Sequence, residues 1–332
     1  MQKKLPLTLY EREKVEFYLK LKLSHRGIAK RLKRDRRIIG REIRRNSICG
    51  KYIAKKAQEL ADKRAIKTNK CKLDKDEELR KYVYDHLKED WSPEEIAGRL
   101  KEYPPPEVNG ETISHESIYQ YIYNGNGKHW YHFLRKKNAP KRRKKKSRKP
   151  SKITIPKLIS ITERPPVINE RKRYGDWESD LIIFTRQKPT VSVQHERKSL
   201  AIRMHKSKDK TANENKEAII ASVESLPNEL FKSLTFDRGK ENVCHVELKD
   251  QYDLDTYFCE PYKSWQKGGV ENSNRLIRQY LPRRTDLDKL SDKDIYEIQE
   301  RLNNRPRKKL NYLTPNEVIN SEISRLGGAL NP

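Results

Sequence analysis

Three acidic side chains lie in surroundings that otherwise read as apolar core, and they restrict what the second half of this chain can become. Asp180 sits in GDWESDLIIF and Asp237 closes SLTFD. Both runs are rich in β-branched and apolar residues and read as strands. Glu271 opens ENSNRLIRQYL, whose Leu276, Ile277, Tyr280 and Leu281 recur at helical spacing. A carboxylate inside a buried strand is costly unless it is paired or holds a metal. Converging carboxylates make a site for hard divalent cations, which take oxygen ligands.

The charge is large and uneven. The formal net charge of the 332 residues is +28. Residues 1–70 carry +16, residues 71–130 carry −5, residues 131–150 carry +11 and the rest only +6. A basic excess concentrated in this way is the footprint of phosphate-binding arms attached to a more neutral domain. The expected partner is double-stranded DNA. No apolar run approaches the roughly 20 residues that cross a bilayer, and MQKKLPLTLY lacks the apolar stretch of a signal peptide. The expectation is a soluble cytoplasmic protein with no membrane partner. Cys49, Cys71, Cys244 and Cys259 form no CxxC pair, which argues against a zinc ribbon. No P-loop is present, so no nucleotide cofactor is expected.

Residues 7–52 read as a helical DNA reader. In the first helix Leu7, Tyr10 or Glu11, Val15, Tyr18 and Leu19 stand at the spacing of the inward side. Ser24 is placed to cap SHRGIAKRL, with Ile28, Ala29 and Leu32 inward. After a polar turn, RRIIGREIRRN buries Ile38, Ile39 and Ile43 and exposes Arg36, Arg37, Arg41, Arg44 and Arg45. A helix, a tight turn and an Arg-rich second helix is the helix-turn-helix arrangement, whose second helix enters the major groove. A second such unit is expected at 76–123, where Ser92-Pro93 starts one helix and ISHESIYQYIY forms the next. That last helix offers Ser114, His115, Ser117 and Gln120 outward. Residues 134–152 form a cationic linker; Lys144 and Lys145 lie in its longest basic run and are candidates for phosphate contact.

From Tyr174 the pattern becomes α/β. Strands are expected at 177–184, 191–197 and 200–205 as an antiparallel meander, followed by a helix over TANENKEAIIASVESLP. Two more strands, LTFD and LDTYFCE, complete a mixed five-stranded sheet, and helices at 270–281 and 291–303 close it. The expected division is 1–70, 71–133, a linker at 134–173, a core at 174–320 and a tail at 321–332. Tyr262 and Trp265 precede the Glu271 helix in a loop and are expected to pack against the sheet, the alternative being to stack on a flipped base. Glu178 shares a strand face with Asp180 and competes with it as the strand acid. Glu241 and His245 are candidates for orienting the site. Arg278, two helical turns after Glu271, is a candidate for holding a DNA end.

These strings resemble the insertion-sequence-30 family of bacterial transposases. WESDL, LTFDRGKE, PYKSWQKGGVENSNRLIRQYLP and LNNRPRKKLNYLTPNEV carry the resemblance in the second half, and LSHRGIAKRL, IGREIRRN, WSPEEIAGRL and SHESIYQYIY in the first. It covers roughly residues 7–320. The chain departs from the family in having Asp176 where His is frequent, Lys267-Gly268-Gly269-Val270 for Arg-Gly-Thr/Ser-Asn, and Arg275 for Gly. The resemblance implies N-terminal all-α helix-turn-helix units followed by an α/β ribonuclease H-like catalytic core. It also implies a catalytic and metal-binding triad of Asp180, Asp237 and Glu271, holding two magnesium or manganese ions. Such a site would cut DNA at terminal inverted repeats and join it elsewhere, as a homodimer on paired ends. The alternatives are a DNA-binding regulator whose core is only a scaffold, and a metal-dependent nuclease without strand transfer.

Overall fold

The computed structural model of the protein describes residues 6–69, 71–134, 155–261 and 263–327; Lys144, Lys145 and Tyr262 lie outside the described residues. The chain divides into two compact units, 1–77 and 78–332.

In the first unit α1 (Leu9–Lys20), α2 (His25–Leu32) and α3 (Arg36–Asn46) each begin at the polar residue their sequence supplies. Thr8 caps α1 with a reciprocal bond from Glu11, Ser24 accepts from Gly27 N, and Asp35 accepts from Arg37 N. Val15, Ile28 and Ile39 form the fully buried centre. A two-residue hairpin, β1 (Ser47–Ile48) and β2 (Lys51–Tyr52), leads to α4 (Ala54–Asn69) and the short α5 (Lys72–Lys75). Neither Tyr10 nor Glu11 takes the inward place, Glu11 being half-buried against Arg34. Tyr10 is exposed, and the inward place is taken by Arg12, which is buried and bonded to Glu42 Oε1 at 2.8 Å and to the Leu7 carbonyl at 2.6 Å. Pattern reading places an arginine on the surface; a paired arginine whose donors are satisfied escapes that rule.

The second unit begins with α6 (Glu77–Lys88), α7 (Pro93–Glu102) and α8 (His115–Asn124), followed after the short α9 (Pro166–Asn169) by the sheet. Its strands are β3 (Asp176–Ile183), β4 (Thr190–Glu196), β5 (Ile202–Ser207), β6 (Ser233–Phe236) and β7 (Asp255–Phe258), in the order β5-β4-β3-β6-β7. β3, β4 and β5 are antiparallel, and β3, β6 and β7 run parallel. This is the mixed five-stranded sheet expected from the sequence, with strand limits moved by one or two residues. α10 (Ala212–Glu224) and α11 (His245–Tyr252) cover one face, where Trp177, Ile219, Phe236 and Phe258 pack. α12 (Gly268–Tyr280) and α13 (Asp292–Asn303) cover the other, over Ile182, Val193, Leu276 and Leu302.

The sheet margins are closed by the chain itself. Gln299 and Asn303 of α13 accept the outward N–H groups of Met204 and Ile202 at 2.8 and 2.9 Å, and Asn303 Nδ2 donates to the Ile202 carbonyl. Beyond β7, Phe258 N donates to the Ile159 carbonyl at 2.9 Å.

α7 lies against the segment between α13 and α14 (Pro315–Arg325). Arg305, fully buried, donates to Glu95 at 2.9 Å, and Arg99 meets Glu317 through both guanidinium nitrogens. Gly98 leaves room for the Tyr312 ring, since a Cβ there would stand 2.0 Å from it. The strings WSPEEIAGRL and LNNRPRKKLNYLTPNEV are therefore each other's packing partners. The sequence treats them as separate because ion pairs across more than two hundred residues leave no local signal.

Candidate active site

β3 and β6 are parallel neighbours with Glu178 opposite Thr235, so the register carries Asp180 and the residue after β6, Asp237, to the same level of the sheet. The two carboxylates face one ammonium group. Lys267 Nζ lies 3.2 Å from Asp180 Oδ1 and 3.8 Å from Asp237 Oδ1, and donates to the Ser179 carbonyl at 2.9 Å. Burial pulls the Lys267 pKa down most strongly, but the two carboxylates outweigh it and hold the value above its ordinary one. Asp180 also accepts from Asn274 Nδ2 at 2.5 Å, and Asp237 from Asn242 Nδ2 at 3.0 Å.

Glu271 is exposed on α12, three residues before Asn274. Positions i and i+3 share a helix face, so Glu271 stands one turn along the face that touches Asp180. Glu241 joins this neighbourhood. Its pKa is raised first by burial and then by Asp237 and Asp180.

Glu178 is oriented toward the same helix and has a different task. It is fully buried, whereas the Asp180 and Asp237 side chains are 27% and 49% exposed. One Glu178 oxygen pairs with Arg197, and the other accepts Val270 N at 2.9 Å. α12 has no side-chain cap of its own at Lys267. The carboxylate of β3 supplies one of the acceptors that the first turn of a helix needs. Gly269 permits the approach, because a Cβ there would stand 2.7 Å from Glu178 Oε2 and 2.6 Å from His195 Cδ2. The Gly-Gly pair before Glu271 was the sequence signal for this contact.

Other candidates fall elsewhere. Asp176 is buried at the start of β3 between Arg173 and Ser233. His245 accepts from Thr256 through Nδ1 and donates to the Pro156 carbonyl through Nε2, so neither nitrogen faces the carboxylates. Arg278 donates to the carbonyls of Ile183 and Leu281 and covers the Phe184 ring, which ties α12 to the end of β3. Trp265 is 68% exposed and does not pack on the sheet; it belongs to the short turn Ser264–Lys267, which gives it no apolar surface to cover. On α3, Arg36, Arg37, Arg41, Arg44 and Arg45 are all exposed. On α8, Ser114, His115 and Gln120 are exposed, and the Ser114 hydroxyl is used as the helix cap, accepting from Ser117 N at 3.1 Å.

Among the described residues, no three His, Cys, Asp or Glu side chains stand close enough to hold an ion as placed. The donor set nevertheless suits a hard cation. Two carboxylates already share a positive charge, and Asn274 Oδ1 is a buried acceptor with no donor beside Asp180.

Beneath the site His195 is buried, with Nδ1 3.0 Å from Ser273 Oγ. Burial, then Arg171, Arg307, Arg197 and Lys309, press its pKa down to about 3. The folded protein keeps it neutral while the unfolded chain protonates it below about 6.5. The unfolded state therefore binds more protons between these values, and stability falls as pH falls through that window. The variant His195→Gln is expected to show a shallower loss of Tm between neutral and acidic pH, measured by thermal unfolding across pH. Equal slopes in the two proteins would remove His195 from the acid response.

Residues 5–46 match a helix-turn-helix domain family. The whole chain is similar to the transposase InsI for insertion sequence element IS30A of Escherichia coli, at 35% identity over 96% of this chain and 84% of the relative. It is 32% identical to the transposase for IS4351 of Bacteroides fragilis, over 96% and 97%, and 36% identical to that for IS1086 of Cupriavidus metallidurans, over 93% and 92%. Among solved structures it matches the catalytic core domain of BIV integrase, with 19% identity, 46% and 97% coverage and a TM-score of 0.33. With relatives above 30% identity along nearly its full length, the chain belongs to the insertion-sequence-30 family of bacterial transposases.

Proposed function

We propose that this protein cuts and joins DNA as a D-D-E transposase, with Asp180, Asp237 and Glu271 as the residues that hold two divalent ions, magnesium or manganese. The observation that carries the reading is the pair of carboxylates on neighbouring parallel strands facing one cation, beside the helix that bears Glu271. When bound, two such ions activate the attacking oxygen and stabilise the leaving one in an in-line displacement at phosphorus.

The chain's own residues set up that chemistry. Asn274 and Asn242 fix the two aspartates. Glu178 fixes the start of α12, and with it the position of Glu271 relative to β3. The exposed arginines of α3 are placed to read the terminal inverted repeat or hold its phosphates. Exchange of one phosphodiester for another needs no nucleotide cofactor. Joining two element ends in one complex calls for two copies of the chain, since one triad makes one active site.

The test is a supercoiled plasmid carrying the element ends, incubated with the purified protein. Nicking and strand transfer are expected with magnesium or manganese, loss of both in EDTA, and recovery when magnesium is returned. Full activity in chelator would overturn the metal-dependent reading.

A further inference from the structure

A cavity of about 540 Å³ lies in the second unit where the chain entering β3, the β4–β5 turn and the loop before α14 come together. Arg171, Arg197, Lys198 and Lys309 line it together with the apolar Leu200, Leu310 and Val318, and no Asp or Glu is part of the lining. Like charges gathered in one lining are unfavourable to assemble, and those left without a carboxylate partner attract an anion.

The four are not equivalent. Arg197 is committed to Glu178 and to the Ile168 carbonyl. Lys198 Nζ lies 3.7 Å above the Tyr174 ring. Among the described residues no carboxylate pairs with Arg171 or Lys309, which leaves both charges open to a ligand. Arg171 is held at φ 56°, in the left-handed region that an arginine seldom adopts. The interior behind the cavity senses the same excess, since Arg171, Arg197 and Lys309 all help to keep the buried His195 neutral.

We propose that this cavity is a second DNA-binding site: a backbone phosphate lies against Arg171, Lys198 and Lys309, and its sugar against the apolar residues. The proposal rests on the reading of the protein as a DNA-joining enzyme. A net charge of +28 disfavours a second copy of the chain as the occupant. A sugar–phosphate unit matches this mixed cationic and apolar lining, its anion suiting the cations and its less polar ring the leucines. Through Arg197 and Glu178 the site stands two side chains from the start of α12.

The test is equilibrium binding of a labelled random-sequence duplex to the full chain, in EDTA, across about 50 to 200 mM salt. The double variant Arg171→Ala/Lys309→Ala is expected to lower the slope of log K against log salt by about one unit, near 0.9 for the single phosphate no longer neutralised. Lys172→Ala, an exposed lysine outside the cavity, is expected to leave the slope unchanged, and the charge-preserving Arg171→Lys/Lys309→Arg is expected to restore it. An unchanged slope in the double variant, or an equal decrease in Lys172→Ala, would overturn the proposal. If the double variant does not fold, Lys309→Ala alone is expected to lower the same slope by a smaller amount, and an unchanged slope there overturns the proposal. Binding in EDTA involves no catalysis, so failure here is separate from failure of the plasmid assay, which alone bears on the cutting and joining activity.

Discussion

Asp180→Asn is expected to abolish DNA cleavage and strand transfer while leaving DNA binding intact, and Asp237→Asn and Glu271→Gln are expected to do the same. Each change keeps the shape of the side chain and removes one negative charge from the oxygen set that would hold the ions. Ion-based stabilisation of a phosphoryl transition state is worth several kcal/mol, so losses of about a thousandfold or more in rate are expected. The structure gives the prediction a direction for the competing acid as well. Glu178 is enclosed and already satisfied by Arg197 and Val270 N, whereas Asp180 remains open to solvent. Glu178→Gln is therefore expected to act through the placement of α12 and to retain more activity than Asp180→Asn. Cleavage that survives Asp180→Asn and is lost in Glu178→Gln would show that the strand acid has been chosen wrongly.

The largest expected loss of stability belongs to Arg197→Met. This removes the partner of a fully buried carboxylate and leaves Glu178 charged or forces it to take a proton. Breaking one side of such a pair costs about 3–5 kcal/mol. At about 2–4 °C per kcal/mol for a unit of this size, Tm is expected to fall by roughly 6–20 °C. The double variant Glu178→Gln/Arg197→Met is expected to recover part of that loss, because no uncompensated charge remains. A single variant that melts with the parent protein would mean that the pair contributes nothing to folding.

Much of the fold was legible because its signals are local. Alternating apolar residues gave the five strands, and Ser24 and Ser92 marked helix starts that the structure uses. The strand aspartates Asp180 and Asp237 were legible because acids in apolar runs are conspicuous, and the structure sets both beside Lys267. What escaped was long-range pairing. Lys267 reads as one more surface lysine until two carboxylates are seen beside it. Arg12, Arg197 and Arg305 read as solvent-facing charges, yet each is buried against an acid far from it in sequence. For Arg278, helical spacing aligned it with Glu271 but gave no sign of its bonds to backbone carbonyls.

The closed margins of the sheet limit how copies of this protein can associate. Addition of a strand from another molecule requires a row of unpaired backbone groups. Side-chain amides of α13 occupy that row along β5, and the Ile159 segment occupies part of it beyond β7. A continuous intermolecular sheet is thereby blocked along β5, both as a route to aggregation and as a way of assembling two protomers. Where two copies are brought to paired DNA ends, helical surfaces or the bridging DNA must provide the connection. Such an assembly can come apart without breaking a backbone ladder, which suits an enzyme that has to release the DNA it has joined.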